Sequence, residues 1–345
     1  MKKGIALAGN LLVDYIKYIE SYPAPQALTT ILSMDRAVGG LVNNCALTLA
    51  KLDPGLPIKA MGIVGQDEAG DYILSQLGRH TSIDTSQILR CGYTSYTDVM
   101  TEKSTGKRTF FCHMGASALL KPEHFDFTKL QADILHIGYI LLLDGLDAPD
   151  NDYPTAMCRV LDMAQKAGIQ TSVDVVSEEG ERFTRIVSPA LKYVDYCCIN
   201  EYEASHTTGI TLRDDHGQIV EKNLPAACQK LMDFGVGRWV VLHMPELSCG
   251  LERGGVYMQE ASWEIPQGFK KSSVGAGDAF ASGILYGAYN GWSLAKSINV
   301  AGAVAAYSLS GVGATDAIKP LAEVLAEMEQ YNEAPPHSKL RGIRA

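Results

Sequence analysis

The chain has 345 residues, a formal net charge of −9, 46% hydrophobic residues and 20% charged residues. That balance is ordinary for a globular protein and excludes disordered, collagen-like and strongly basic chains. The acidic total speaks against nucleic acid as a partner, which needs a cationic surface, but leaves room for an anionic ligand at a local site.

Met1-Lys2-Lys3 followed by the apolar stretch Gly4 to Val13 superficially resembles a signal peptide. Asn10 interrupts that stretch, Asp14 closes it and no suitable cleavage site follows, so a first buried strand fits better. Further apolar runs at Ile58-Val64, Ile134-Ile137, Gln170-Val175, Tyr196-Ile199 and Trp239-Leu242 read, with Ile5-Ala8, as central strands. Helical spacing lies between many of them: Asn44 to Leu52, Asp67 to Leu77, Tyr153 to Ala167 and Leu224 to Phe234. Such alternation predicts a mostly parallel sheet covered on both faces, a three-layer α/β/α fold. Tyr15 to Val38 and Gly92 to Cys112 instead alternate polar and apolar residues, with a polar turn at Thr101 to Lys107. That is the pattern of a half-exposed antiparallel sheet, and it predicts a small lid outside the main layer. The last third is helical: Gly275 to Asn290, Leu294 to Leu309 after the N-cap Ser293, and Pro320 to Gln330. The expected organisation is one domain over 1–333, lid segments at about 12–38 and 91–113, and a polar, basic tail over 334–345.

The eight cysteines form no C-x-x-C pair, so neither a zinc site nor a disulfide framework is expected. No run approaches the ~20 apolar residues of a membrane span. A cytoplasmic protein without a membrane partner is the expectation.

Three polar segments sit where strands or loops meet helices. In Ser272-Ser273-Val274-Gly275-Ala276-Gly277-Asp278-Ala279-Phe280, the small residues Gly275, Ala276 and Gly277 bring outward-facing amides to a helix N-terminus, which suits an anion. Asp278 in the first turn stands where a base could take a proton from an attacking hydroxyl. It reads equally as a first-turn acid that stabilises its helix by about 0.3–1 kcal/mol. The segment is not a dinucleotide fingerprint, because Phe280 replaces the third glycine, and the chain has no P-loop. Gly39-Gly40 with Asn44 reads either as backbone open to a polyol or as a tight turn with an Asn cap. Asn200-Glu201-Tyr202-Glu203, after a strand, suits either a hydrated magnesium ion or a plain helix start.

In this order the segments resemble the ribokinase (PfkB) carbohydrate-kinase family, over roughly Gly4 to Gln330. The core of the resemblance is Val274-Gly275-Ala276-Gly277-Asp278-Ala279-Phe280. It implies a ribokinase-like fold with a β lid and an ATP- and Mg2+-dependent phosphotransferase acting on a sugar hydroxyl. By motif position, Asp278 would be the base and Gly275, Ala276 and Gly277 the anion hole. Asp14, Gly39, Gly40 and Asn44 would bind the acceptor, and Arg108 matches a lid feature of the family. Asn200 and Glu203 would help place Mg2+ and the triphosphate, and Gly313-Ala314 would border adenine. The resemblance also implies a homodimer through the lid.

Three positions depart from the family pattern. Ser272 replaces the aspartate that supports a monovalent cation, leaving K+ activation without its usual acid. His243-Met244-Pro245 replaces Thr-x-Gly, and Asp174-Val175-Val176-Ser177 keeps only the aspartate of Asp-x-Asn-x-Arg. Two other readings stay open. A nucleoside kinase would use Tyr15, Tyr18, Tyr93 and Tyr96 as a base platform, and a non-catalytic sugar- or nucleotide-binding regulator would bind without turnover.

Overall fold

The computed structural model describes residues 2–331, so the tail expected over 334–345 lies outside the described residues. Nine strands form the main sheet, ordered β13-β12-β11-β10-β9-β8-β1-β4-β5. Its centre is the set of apolar runs: β1 (Ile5–Gly9), β4 (Ile58–Val64), β8 (Ile134–Ile140), β9 (Gln170–Val175), β10 (Tyr196–Asn200) and β11 (Trp239–His243). These strands pair in parallel. Burial on both faces is why they read as continuous rather than alternating hydrophobic runs.

The sheet extends further than those runs. β5 (Ile83–Arg90) adds a parallel edge, and β12 (Leu247–Glu252) and β13 (Tyr257–Ala261) add an antiparallel hairpin at the other edge. Edge strands bury fewer side chains, so β5 carries the mixed sequence Ile-Asp-Thr-Ser-Gln-Ile-Leu-Arg, which has no apolar run to betray it.

Alternate side chains of each central strand enter two cores. Ala6, Ala8, Leu135 and Ile137 point to one face, where α3 (Ala156–Lys166) and α5 (Leu224–Asp233) pack. Ile5, Leu7 and Ile134 point to the other, under α1 (Leu41–Leu52), α2 (Glu68–Leu77), α6 (Ala276–Tyr289) and α7 (Leu294–Ser308). α4 (Glu201–Thr208) follows β10, and α8 (Leu321–Tyr331) packs beside α7. A side chain at Gly283 of α6 would press on the backbone of Ala301, its Cβ only 2.5 Å from the Ala301 Cα. Small residues therefore let α6 and α7 approach closely, which fixes the direction in which the α6 N-terminus points.

The second sheet has four strands in the order β3-β2-β6-β7: β2 (Leu12–Ile19), β3 (Ile31–Gly39), β6 (Ser95–Glu102) and β7 (Arg108–His113). The two alternating segments supply all four. β2 and β6 pair in parallel, while β3 and β7 are antiparallel edges.

Candidate active site

From β1 the chain moves along the sheet to β4, whereas β8 leads the opposite way to β9. The carboxyl ends of β1 and β8 therefore flank a switch point, the place where open α/β sheets present a crevice. Buried Asn10 spans it. Its Oδ1 accepts from the Tyr139 N–H at 2.7 Å, and its Nδ2 donates to the Leu142 carbonyl at 3.3 Å. The β8–β9 register slips between Ile137 and Ile140, releasing Tyr139 from that ladder.

Asp278 meets this crevice from α6. Its side chain is 7% exposed and held on both oxygens: the Tyr139 hydroxyl donates to Oδ1 at 2.7 Å and the Asn44 Nδ2 to Oδ2 at 2.9 Å. Burial pushes its pKa from 3.8 to about 6, while the two donors pull the other way. It is thus a carboxyl poised near neutrality, the condition for a general base.

Gly275, the N-cap of α6, sits at φ 75°, and a side chain there would overlap the Cβ of Ala314. Gly275 and the Gly313-Ala314 loop are therefore in contact, and that loop is tied by a Gly313 N–H bond to Asp316 Oδ2 at 2.8 Å. The amides differ in detail from the sequence expectation. Ala276 N–H is engaged by the Ser273 carbonyl at 3.3 Å, whereas Gly277 and Asp278 have no backbone acceptor among the described residues. The donors left open at this helix end are thus one residue further along than the sequence suggested, at Gly277 and Asp278, because the helical ladder has not begun at these positions.

Beside this helix end opens a cavity of about 540 Å3, lined by Asn200, His243, Trp263, Ala276 and Gly277 among others. Its walls are mainly apolar, and its polar end is the helix N-terminus, a shape suited to a heterocycle attached to phosphates. His243 stands against Gly277: a Cβ on Gly277 would lie 3.4 Å from its Cε1. Burial pushes this imidazole down to about 4, so it is neutral. Gly313 and Ala314 pack behind Gly275 and are not among the residues lining this cavity.

Asn200 and Glu203 form a reciprocal cap on α4. Glu203 N–H donates to Asn200 Oδ1 at 2.9 Å, and Asn200 N–H to Glu203 Oε2 at 3.0 Å. Ser177 Oγ donates to Glu203 Oε1 at 2.8 Å. The plain helix-start reading is therefore realised in full, and only Asn200 reaches the cavity. Glu203 is 3% exposed and, by burial first, raised to about 7. Buried Asp174 lies within electrostatic reach and is also raised, by burial and by Glu203. No group of three or more His, Cys, Asp or Glu among the described residues is arranged to hold a metal. Mg2+ commonly keeps several waters and uses one or two carboxylates with substrate phosphates, and this sparse acidic edge fits that mode.

The lid adjoins this site through the turn from β3 into α1, the helix that carries Asn44. Register places Ala37, Asp14, Thr97 and Cys112 side by side, and strand alternation puts Phe110 and Arg108 on the same face. Burial raises Asp14 to about 6, opposed by a hydrogen bond from Thr97 and by the charge of Arg108. Arg108 has no ion-pair or hydrogen-bond partner among the described residues. A side chain on Gly39 would collide with the Asp14 carboxyl, and Gly40, at φ 85°, would bring a Cβ to 2.6 Å from the Asn10 carbonyl. These two glycines let β3 turn into α1 against Asn10, and α1 begins at Leu41, so Asn44 lies inside the first turn rather than capping it. Tyr15 and Tyr96 fall on the opposite face of the lid from Asp14 and pack edge to face at 5.9 Å.

Asn10, Asn44, Tyr139 and Asp278 thus meet in one crevice beside the α6 N-terminus at Gly275, while Asp14 lies against Gly39, at the turn that leads into α1. The residues that motif reading missed are Asn10 and Tyr139. An Asn interrupting the first apolar run was a visible sign of the former, but an unremarkable strand hid the latter.

The chain matches the pfkB family of carbohydrate kinases over residues 2–320. It is 23% identical to a 5-dehydro-2-deoxygluconokinase of Geobacillus thermodenitrificans, across 95% of this chain and 94% of that one. The fold superposes on an Arabidopsis thaliana ribokinase complexed with ribose and ATP, with TM-score 0.76, 21% identity and coverage of 95% and 99%. A Burkholderia thailandensis nucleoside kinase in complex with inosine gives TM-score 0.67 at 19% identity, covering 95% of this chain and 98% of that one. No helix among the described residues is long and apolar enough to cross a membrane. With the family's sequence pattern spread over nearly the whole chain, this protein belongs to the pfkB family of carbohydrate kinases, phosphotransferases with an alcohol group as acceptor.

Proposed function

We propose that this chain transfers the γ-phosphoryl group of ATP to a primary hydroxyl of a small sugar acid, with Asp278 as general base. The observation that carries it is the placement of Asp278: a buried carboxyl with its pKa raised to about 6, between the open amides of a helix N-terminus and the crevice that Asn10, Asn44 and Tyr139 line. The acceptor's other hydroxyls would bond to Asp14 and to the Asn44 Oδ1, which is buried without a partner. Arg108, unpaired on the Asp14 face, favours a carboxylate on the acceptor. The relatives named 5-dehydro-2-deoxygluconokinase point the same way.

Asp278 takes the hydroxyl proton as that oxygen attacks, and the N–H groups of Gly277 and Asp278 face the charge that develops on the transferred group. Mg2+, when bound near Asn200 and Glu203, would neutralise phosphate charge. Closure of the lid would exclude water from the crevice.

The test is a panel of 5-dehydro-2-deoxygluconate, 2-keto-3-deoxygluconate, fructose, ribose, adenosine and inosine, read by ADP release. We expect the sugar acids to give the highest kcat/KM, and Arg108→Ala to erode that preference. Saturable turnover with nucleosides alone would overturn the reading. Tyr15 and Tyr96 fall on the lid face away from Asp14, whereas Tyr18 falls on the Asp14 face, so a base platform there would rest on Tyr18 rather than on that pair.

On the lid face away from Asp14, Met34 of β3 and Phe111 of β7 are both exposed, at opposite edges of the sheet. A homodimer through this sheet would cover them, and sedimentation of Phe111→Asp against the parent chain checks it.

A further inference from the structure

Tyr139 is engaged with the base yet absent from every motif. We propose that its hydroxyl occupies the place of the acceptor hydroxyl on Asp278, and that the acceptor binds by displacing it. This rests on the reading of Asp278 as general base.

The phenol donates to Oδ1 at 2.7 Å, which is the donor and the distance required of an alcohol about to lose its proton. The second carboxyl oxygen is not free to exchange. Its donor Asn44 is buried on α1, with its own N–H fixed to the Gly40 carbonyl at 3.0 Å. Tyr139 is only half-buried and ends a strand, with its backbone held by Asn10. Rotation of one side chain would therefore vacate Oδ1 without moving the sheet. The buried part of the side chain is its hydroxyl end: desolvation there, together with the nearby charges of Asp278 and Asp174, pushes the phenol well above its ordinary pKa, so it stays a neutral donor. A water at that position would be activated and would attack ATP, whereas the phenol covers the base until a better-placed hydroxyl arrives.

The groups facing Asp278 come from every neighbouring element. They are Tyr139 from β8, Asn44 and Cys45 from α1, Asp174 from β9 and, beside Gly277, His243 from β11. Among the described residues, Tyr139 and Asn44 are the two that donate to its carboxylate.

The experiment is Tyr139→Phe, with initial rates over pH 5 to 8.5 at saturating ATP and the best acceptor of the panel. The acid limb of kcat/KM reports the acceptor-free enzyme, and that of kcat reports the ternary complex. Removing a donor from the carboxylate raises its pKa, so in an Asp14→Asn background, which removes the other acid titrating at about 6, the kcat/KM limb should move up by about one pH unit. The kcat limb should not move, because the acceptor has already replaced the phenol. ATP hydrolysis without acceptor should rise severalfold. A shift of both limbs together would mean that Tyr139 stays on the base through catalysis, and a shift of neither would mean that it only packs; each overturns the proposal. Should the Phe variant fail to fold, 3-fluorotyrosine at position 139 keeps the ring and the hydroxyl. Its fluorine resonance should move on saturation with acceptor, and an unmoved resonance is equally fatal. Full activity in Asp278→Asn would sink the base reading itself. An inactive Asp278→Asn with unmoved limbs in Tyr139→Phe would sink only this inference.

Discussion

Replacing Asp278 by Asn should make the protein more stable and almost inactive. The carboxyl titrates at about 6 in the folded chain against 3.8 when exposed, burial being the main cause. The folded state therefore holds the proton more tightly than the unfolded one. The stability this provides is complete below about pH 4 and is lost as the pH rises through about 6. By pH 7 the loss is ~3 kcal/mol, two pKa units at about 1.4 kcal/mol each. Asn carries no charge to bury and avoids that loss. Its Oδ1 still accepts from Tyr139, and a flip of the Asn44 amide presents the presently unpartnered Asn44 Oδ1 to the new Nδ2. Thermal unfolding at pH 7 should rise by several degrees over the parent, and the gap should close towards pH 4. Phosphoryl transfer, measured by coupled ADP release, should fall by about 10²- to 10⁴-fold, the usual contribution of a general base. A variant within tenfold of parental activity would refute the base assignment. A variant less stable at pH 7 would refute the argument from burial.

Gly275→Ala should cost about 1–3 kcal/mol, since φ 75° is left-handed and the new methyl meets Ala314, and it should raise the KM for ATP; an unchanged melting temperature would contradict this. Asp14→Asn should raise the acceptor KM at least tenfold and leave the KM for ATP alone, read by varying each substrate in turn. Because Asp14 titrates at about 6, acceptor binding to the parent should also strengthen as the pH rises through that value, and the variant should lose this dependence. Glu203→Gln should raise the Mg2+ concentration needed for half-maximal rate severalfold; an unaltered Mg2+ titration would leave Glu203 as a helix cap alone.

Much of the architecture is written in local patterns. Ile5, Leu7 and Ile134 on one side, and Ala6, Leu135 and Ile137 on the other, are legible as continuous runs because central parallel strands bury both faces. The lid is legible because its strands alternate. β5 and β13 leave little trace in the sequence because an edge strand needs few apolar residues, and in the buried strand β12 Ser248 and Gly250 break the apolar run. Gly275 to Asp278 stands out because a helix start next to an anion needs small residues at fixed offsets.

Local patterns thus encode the alternation of strands and helices, the place of the lid and the glycine-rich start of α6, all set by neighbours within a few residues. Only the tertiary structure decided which donors meet Asp278 and which amides remain open. It also committed the side chains of Asn200 and Glu203 to a cap, and placed the Tyr139 hydroxyl on the Asp278 carboxyl. Asn10, Asn44, Tyr139 and Asp278 come from segments scattered over the chain, and their distances follow from strand order, register and the packing of α6 on α7, which no local pattern encodes.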